Sequence, residues 1–123
     1  MVPKLTGIFL HPFRLILLEY MNNHSYNNVM EINKLKTLFD ALADHTRLKI
    51  LLSLTKGEKC VCMISEELNI SHSLTSHQLA YLKKHKLVKS RKEKRHCFYS
   101  LDDEHVKDIL EIAFTHISED KYD

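Results

Sequence analysis

Four side chains near the end of the chain, Asp103, His105, His116 and Glu119, are of the types that ligate divalent metal ions. They bracket an apolar stripe of Val106, Ile109, Leu110, Ala113, Phe114 and Ile117, which recurs at helical spacing and predicts one helix from Asp103 to Glu119. His105 and His116 stand eleven residues apart. At about 100° per residue that returns nearly to the same face, but the rise is about 16 Å, far beyond a metal–nitrogen bond of about 2.0 Å. One helix therefore cannot close one site with both histidines. Two copies packed antiparallel can, because the start of one helix then lies beside the end of the other. Asp103 and His105 of one chain would meet His116 and Glu119 of the partner subunit, twice per dimer. His116 and Glu119, three residues apart, share a face. Asp103 and His105, two apart, do not, unless Asp103 sits at the start of the helix.

A second group able to do chemistry is the Cys60-Val-Cys62 pair. With one further cysteine, it makes no disulfide framework, and it suits a reducing cytosol with metal or redox chemistry. A third is a basic run: residues 83–95 hold eight of the eighteen Lys and Arg residues and one acid. Residues 102–123 hold eight of the sixteen acids, so a net charge of only +2 conceals a polyanion-facing segment beside a cation-binding one.

The elements that must position these groups can be read in order. A face of Ile32, Leu35, Leu38, Phe39 and Leu42 predicts a helix from Glu31. Asp44 is placed to cap a second helix, Thr46 to about Leu54, with Leu48, Leu51 and Leu52 inward. A short helix over residues 60–68, a turn at Asn69-Ile70, and a helix capped by Ser71 and running to about His85 spell a helix-turn-helix. Strands over 87–91 and 96–101, joined by a charged tip Lys92-Glu93-Lys94-Arg95, add a wing. The fold class is mainly α with a β-hairpin wing (α+β), a winged helix-turn-helix. A recognition helix would enter the major groove of double-stranded operator DNA, with Ser73, Thr75, Ser76 and Gln78 as base or phosphate contacts. His77 either contacts DNA or packs inward. Lys92, Lys94 and Arg95 would reach neighbouring phosphates.

With 123 residues, the chain has room for one modest core, and two Gly and two Pro leave it helix-rich with short loops. Residues 1–30 are an arm, 31–119 the DNA-binding and dimerisation domain, and 120–123 a tail. The apolar runs of residues 1–20 are interrupted by His11, Pro12 and Arg14, too short for a bilayer and without a small-residue cleavage site, so a cytoplasmic protein without a membrane partner is expected. Pro12 is expected to break any helix there, and residues 21–28 to form a polar linker. Two readings of the arm stand, a spurious stretch preceding a true start at Met21 or Met30 and an arm that packs on the dimer, and a mobile arm is expected.

In the order and spacing of A-L-A-D-H-T-R-L-K-I-L (41–51), C-V-C (60–62), S-H-S-L-T-S-H-Q-L-A-Y-L (71–82), L-V-K-S-R-K-E (87–93) and S-L-D-D-E-H (100–105), residues 31–119 resemble the ArsR/SmtB family of metal-sensing repressors, most nearly its zinc and cadmium/lead sensors. The resemblance implies a dimer that binds its operator without metal and is released by it. Asp103, His105, His116 and Glu119 match that family's inter-subunit site, whose carboxylate and imidazole ligands suit Zn(II) and tolerate Co(II). Cys60 and Cys62 match a second, thiol-rich site suited to Cd(II), Pb(II) or As(III). Here the match is incomplete, because Ser65 stands where arsenic sensors have a third cysteine. The alternative is a thiol-based sensor of those ions or of oxidants, with a purely structural terminal site. Lys86 and Lys94 replace, or lie beside, glycines usual in the family, so strain is expected at the wing. An enzyme is not expected: four protein ligands leave no open position for water, and no nucleophile lies beside a base.

Overall fold

The computed structural model describes residues 12–23 and 29–119. It divides between Thr37 and Leu38 into two compact units. In the first, helix α1 runs Pro12–Asn23, and helix α2 begins at Val29. Pro12 is the first residue of α1, and the residues before it, on which its expected helix-breaking bears, lie outside the described residues. At the first helical position the absent N–H has no intrahelical partner to lose, and the fixed φ is already helical. Met21–Asn23, expected in a linker, close that helix, and the rest of the expected linker lies outside the described residues. The Tyr20 hydroxyl donates to Glu31, which holds the phenol pKa above its ordinary value.

The second unit contains the end of α2 (Val29–Leu42), then α3 (His45–Leu54), β1 (Lys59–Cys60), α4 (Val61–Leu68), α5 (His72–Lys84), β2 (Val88–Glu93), β3 (His96–Leu101) and α6 (Glu104–Ile117). The three strands form an antiparallel sheet in the order β1-β3-β2, with Cys60 opposite Phe98 and Lys92 opposite Cys97. Ile50, Leu51, Ile64, Leu79, Leu82, Leu87 and Val88 are buried at its centre, and Val106 and Leu110 bring α6 onto the same core. Among the described residues no helix is long and apolar enough to cross a membrane.

Side-chain caps set the helix starts. Asp44 accepts from the Arg47 N–H at 3.0 Å, and Ser71 accepts from the Leu74 N–H at 3.0 Å, satisfying first-turn donors that have no partner within the helix. The turn between α4 and α5 passes through Asn69 at φ +53, where Asn is among the few residues that adopt a left-handed conformation cheaply. The Ser65 hydroxyl donates to the Ile70 carbonyl at 2.7 Å across the same turn.

Three expectations change. On α3, Leu51 is fully buried, but Ile50 and Leu54 join it while Leu48 and Leu52 are half-buried. On α2, Leu42 turns inward, whereas Ile32, Leu35 and Phe39 are exposed by 48%, 50% and 54%. Periodicity marks an apolar face without saying what covers it. The wing strand β2 starts one residue later and runs two residues further than expected, leaving only Lys94-Arg95 as the turn. Lys94 takes φ +58, which lets so short a turn close.

Candidate functional site

At the start of α6, Asp103 is the N-cap. Its Oδ1 accepts from the backbone N–H of His105 at 2.9 Å and of Val106 at 3.3 Å. The helix is therefore shorter than expected at both ends, with Asp103 before its first turn and Glu119 beyond its last residue, Ile117. The cap changes the geometry of the pair. Extended backbone at Asp103 swings its other oxygen, Oδ2, to 3.3 Å from His105 Nδ1. The two groups are in direct carboxylate–imidazole contact, and the separation also matches the about 3.3–3.4 Å between ligand atoms bound tetrahedrally at about 2.0–2.1 Å from one ion. His116 lies in the last turn of the same helix, and both it and Glu119 are exposed. Among the described residues no three His, Cys, Asp or Glu side chains of one chain converge closely enough to hold a metal ion.

Cys60 is half-buried at the junction of β1 and α4, where its backbone caps the helix without a side-chain hydrogen bond. Cys62, in the first turn of α4, is exposed, and both thiols are free.

The second helix of the helix-turn-helix, α5, exposes Ser73, Ser76 and His77. Thr75 departs from its expected role: it is fully buried, and its hydroxyl donates to the Ser71 carbonyl at 2.8 Å, closing the first turn from inside. A threonine among exposed Ser and His looks polar in sequence, but the inward face of the helix falls on it and on Leu79 and Leu82. Gln78 is half-buried, and its Oε1 accepts from Arg47 at 3.4 Å.

On the wing, Lys92, Lys94 and Arg95 are all exposed. Arg91, on the strand leading to them, is committed elsewhere. Its guanidinium donates to both Glu58 oxygens at 2.8 and 2.6 Å, donates to Glu93 at 2.8 Å, and lies 4.9 Å from the Phe98 ring centroid. The Arg91 hydrogen bonds hold the Glu58 carboxyl below its ordinary range. A fork of this kind fixes where the hairpin leaves the body, and it removes one positive charge from the set available to phosphate. Lys83 Nζ donates to Ser90 Oγ at 2.7 Å, a further tie between α5 and β2. Neither Arg47 nor the Glu58–Arg91 fork was marked by spacing alone, although Arg47 lies inside the 41–51 motif.

Comparison with known proteins agrees with this architecture. Residues 44–90 match the family described as bacterial regulatory protein, arsR family. The chain is 44% identical over 90 residues to a cadmium resistance transcriptional regulatory protein, a CadC homolog of Staphylococcus aureus, covering 72% of each chain. It is 36% identical over 89 residues to a transcriptional repressor, an SmtB homolog of Synechocystis sp., covering 72% of this chain and 67% of that one. Among solved structures, a homodimeric winged helix-turn-helix DNA-binding domain from Mycobacterium bovis superimposes with a TM-score of 0.72 at 26% identity, over 80% of this chain and 91% of that one. These relatives are regulators, not enzymes.

Proposed function

The chain belongs to the ArsR/SmtB family of bacterial transcriptional regulators, and we propose that it is a homodimeric repressor whose hold on operator DNA is released by a divalent metal bound between its two terminal helices. The observation that carries the reading is the Asp103–His105 pair, in contact at a separation that also suits chelation at one end of α6, with His116 and Glu119 at the other. Asp103 and His105 of one chain, with His116 and Glu119 of the partner subunit, would hold Zn(II). Co(II), Cd(II) or Pb(II) are further candidates, and cadmium resistance is the role of the S. aureus relative.

Several features support the dimer. Ile112, Phe114 and Ile117 of α6 are 53%, 49% and 53% exposed in the single chain. Full burial of such a side chain is worth about 1.5–3 kcal/mol, and about half of that remains to be gained by one already half-buried, so apolar residues of α6 left in water favour a second copy of the same helix. The Mycobacterium bovis neighbour is itself homodimeric. Antiparallel packing of two α6 helices would bring the four ligands together and cover Ile112, which lies on the same side of the helix as His105 and His116.

Release follows from linkage. Ligands drawn from both chains favour one relative placement of the two subunits, and that placement changes the spacing of the two α5 helices. A coupling of about 1–3 kcal/mol per site is typical, and two sites can add. With one imidazole nitrogen on the ion, His116 would donate from the other to a backbone acceptor, carrying the change toward the DNA-binding helices. On DNA, Ser73, Ser76, His77 and Gln78 would face bases and phosphates, and Lys92, Lys94 and Arg95 the flanking backbone. The test is a titration of Zn(II) into the purified full chain on operator duplex, read by fluorescence anisotropy. Release at about two ions per dimer is expected. Unchanged affinity for DNA at saturating Zn(II), Cd(II), Pb(II) and Co(II) would overturn the reading.

A further inference from the structure

One side chain outside the residues assigned so far joins two elements of the winged helix. Arg47, in the first turn of α3, donates from Nε to the Ala41 carbonyl at 2.7 Å and from Nη2 to the Asp40 carbonyl at 3.1 Å. Both are last-turn carbonyls of α2, which have no partner within the helix. The guanidinium plane lies 4.2 Å from the centroid of the Tyr81 ring on α5. Its remaining arm, Nη1, donates to Gln78 Oε1 at 3.4 Å, one turn earlier on α5.

We propose that Arg47 is a positioning residue for sequence reading: it selects the orientation in which the Gln78 amide meets a base. The proposal rests on Gln78 being a base contact. A glutamine side chain has about 1.5–2 kcal/mol of rotamer entropy, and its amide can present oxygen or nitrogen to either side. A guanidinium has five donors and no acceptor, so only the amide oxygen can face it. Arg47 therefore turns Gln78 Nε2 away from the α2–α3 junction while leaving a second lone pair on Oε1. Bidentate reading of adenine needs that combination, a donor toward N7 and an acceptor for N6. The carbonyls of Asp40 and Ala41 and the Tyr81 face hold the guanidinium in place, so the orientation is set before DNA arrives.

Lysine at this position keeps the charge but is a point donor on a flexible stem. It cannot satisfy two carbonyls, stack on Tyr81 and reach Gln78 together. The test uses the full chain and a duplex that the protein itself selects from a randomised pool, with every single base-pair change and a random duplex alongside. Gln78→Ala is expected to flatten discrimination about ten-fold at one position. Arg47→Lys should flatten the same position to a similar degree, leave affinity for the random duplex unchanged, and add nothing in the double variant. Should Arg47→Lys keep full discrimination where Gln78→Ala loses it, or should the two losses multiply, the proposal fails while the base contact stands. Should Gln78→Ala flatten nothing, the base contact fails and the proposal with it. If Arg47→Lys does not fold by circular dichroism, Arg47→Gln takes its place, since an amide can donate or accept and no longer selects the Gln78 oxygen. The same flattening is then expected, and unchanged discrimination overturns the proposal.

Discussion

Replacing Lys86 by glycine should stabilise the protein. Helix α5 closes with the Leu87 N–H donating to the Leu82 carbonyl at 2.9 Å and the Lys86 N–H to the Lys83 carbonyl at 3.1 Å. This is the pairing in which a left-handed residue satisfies the last carbonyls of a helix. Leu82 and Leu87, which flank the closure, are both in the buried core, so the turn also aims β2 and the wing. Lys86 carries the left-handed residue's burden at φ +62. A residue with a Cβ costs about 1–2 kcal/mol there, and glycine returns about 0.5–1 kcal/mol of that as unfolded-state entropy. The expected net gain is about 0.5–1 kcal/mol, or about 2–4 °C in Tm for a chain of this length. Lys86→Ala is the control, because it removes the same charge and keeps the Cβ. Urea and thermal unfolding at one fixed protein concentration should rank Lys86→Gly above wild type and Lys86→Ala at or below it. Loss of operator affinity, if any, should be equal in the two variants, since only the charge is shared. Equal stability of the glycine and alanine variants would refute the reasoning.

Other perturbations follow from the same geometry. Neutralising Lys92, Lys94 and Arg95 together should weaken binding to all duplexes alike and flatten the salt dependence by about one unit per lost phosphate contact; an unchanged slope removes the wing from the interface. Cys60→Ser with Cys62→Ser should keep zinc-responsive release while losing the ultraviolet charge-transfer bands that thiolate ligands would give with Cd(II) or Pb(II). Loss of zinc release with those thiols would instead favour a thiol-based sensor. Acid should act through two carboxylates. Glu58, bonded to Arg91, and Glu67, bonded to Lys59 and then Ser53, both have folded pKa values below the ordinary 4.5. A depressed folded pKa gives stability that is present above pH about 4.5 and lost as pH falls through the folded value. Glu58→Gln and Glu67→Gln should therefore flatten stability against pH below about 4.5 and leave its slope at pH 7 unchanged, as read by urea midpoints.

The helix-turn-helix was legible because its signals are local. Asp44 and Ser71 cap the helices they precede, and the alternating residues from His96 to Leu101 form a strand. What could not be read depends on contacts distant in sequence. The two residues of β1 form a strand only because Phe98 and Tyr99 lie opposite them. Thr75 is polar by type and buried because it shares the inward face of α5 with Leu79 and Leu82. Glycine usually marks left-handed positions, but Lys86 and Lys94 occupy two of them here, and only the departure from the family pattern hinted at it. The four side chains proposed as metal ligands stand out in the sequence by type and spacing. That Asp103 turns to meet His105 does not, since it follows from the cap and not from helical periodicity.

The inter-subunit site is tested most directly by mixing two damaged proteins. A His105→Ala homodimer lacks one ligand at both sites, and so does a His116→Ala homodimer. In a heterodimer of the two, one site has lost both histidines and the other retains Asp103, His105, His116 and Glu119. Separately tagged and purified heterodimers should bind one tight zinc per dimer by competition with a chromophoric chelator, while either homodimer binds only weakly. Zinc binding as weak in the heterodimer as in both homodimers would contradict a site shared between the two terminal helices.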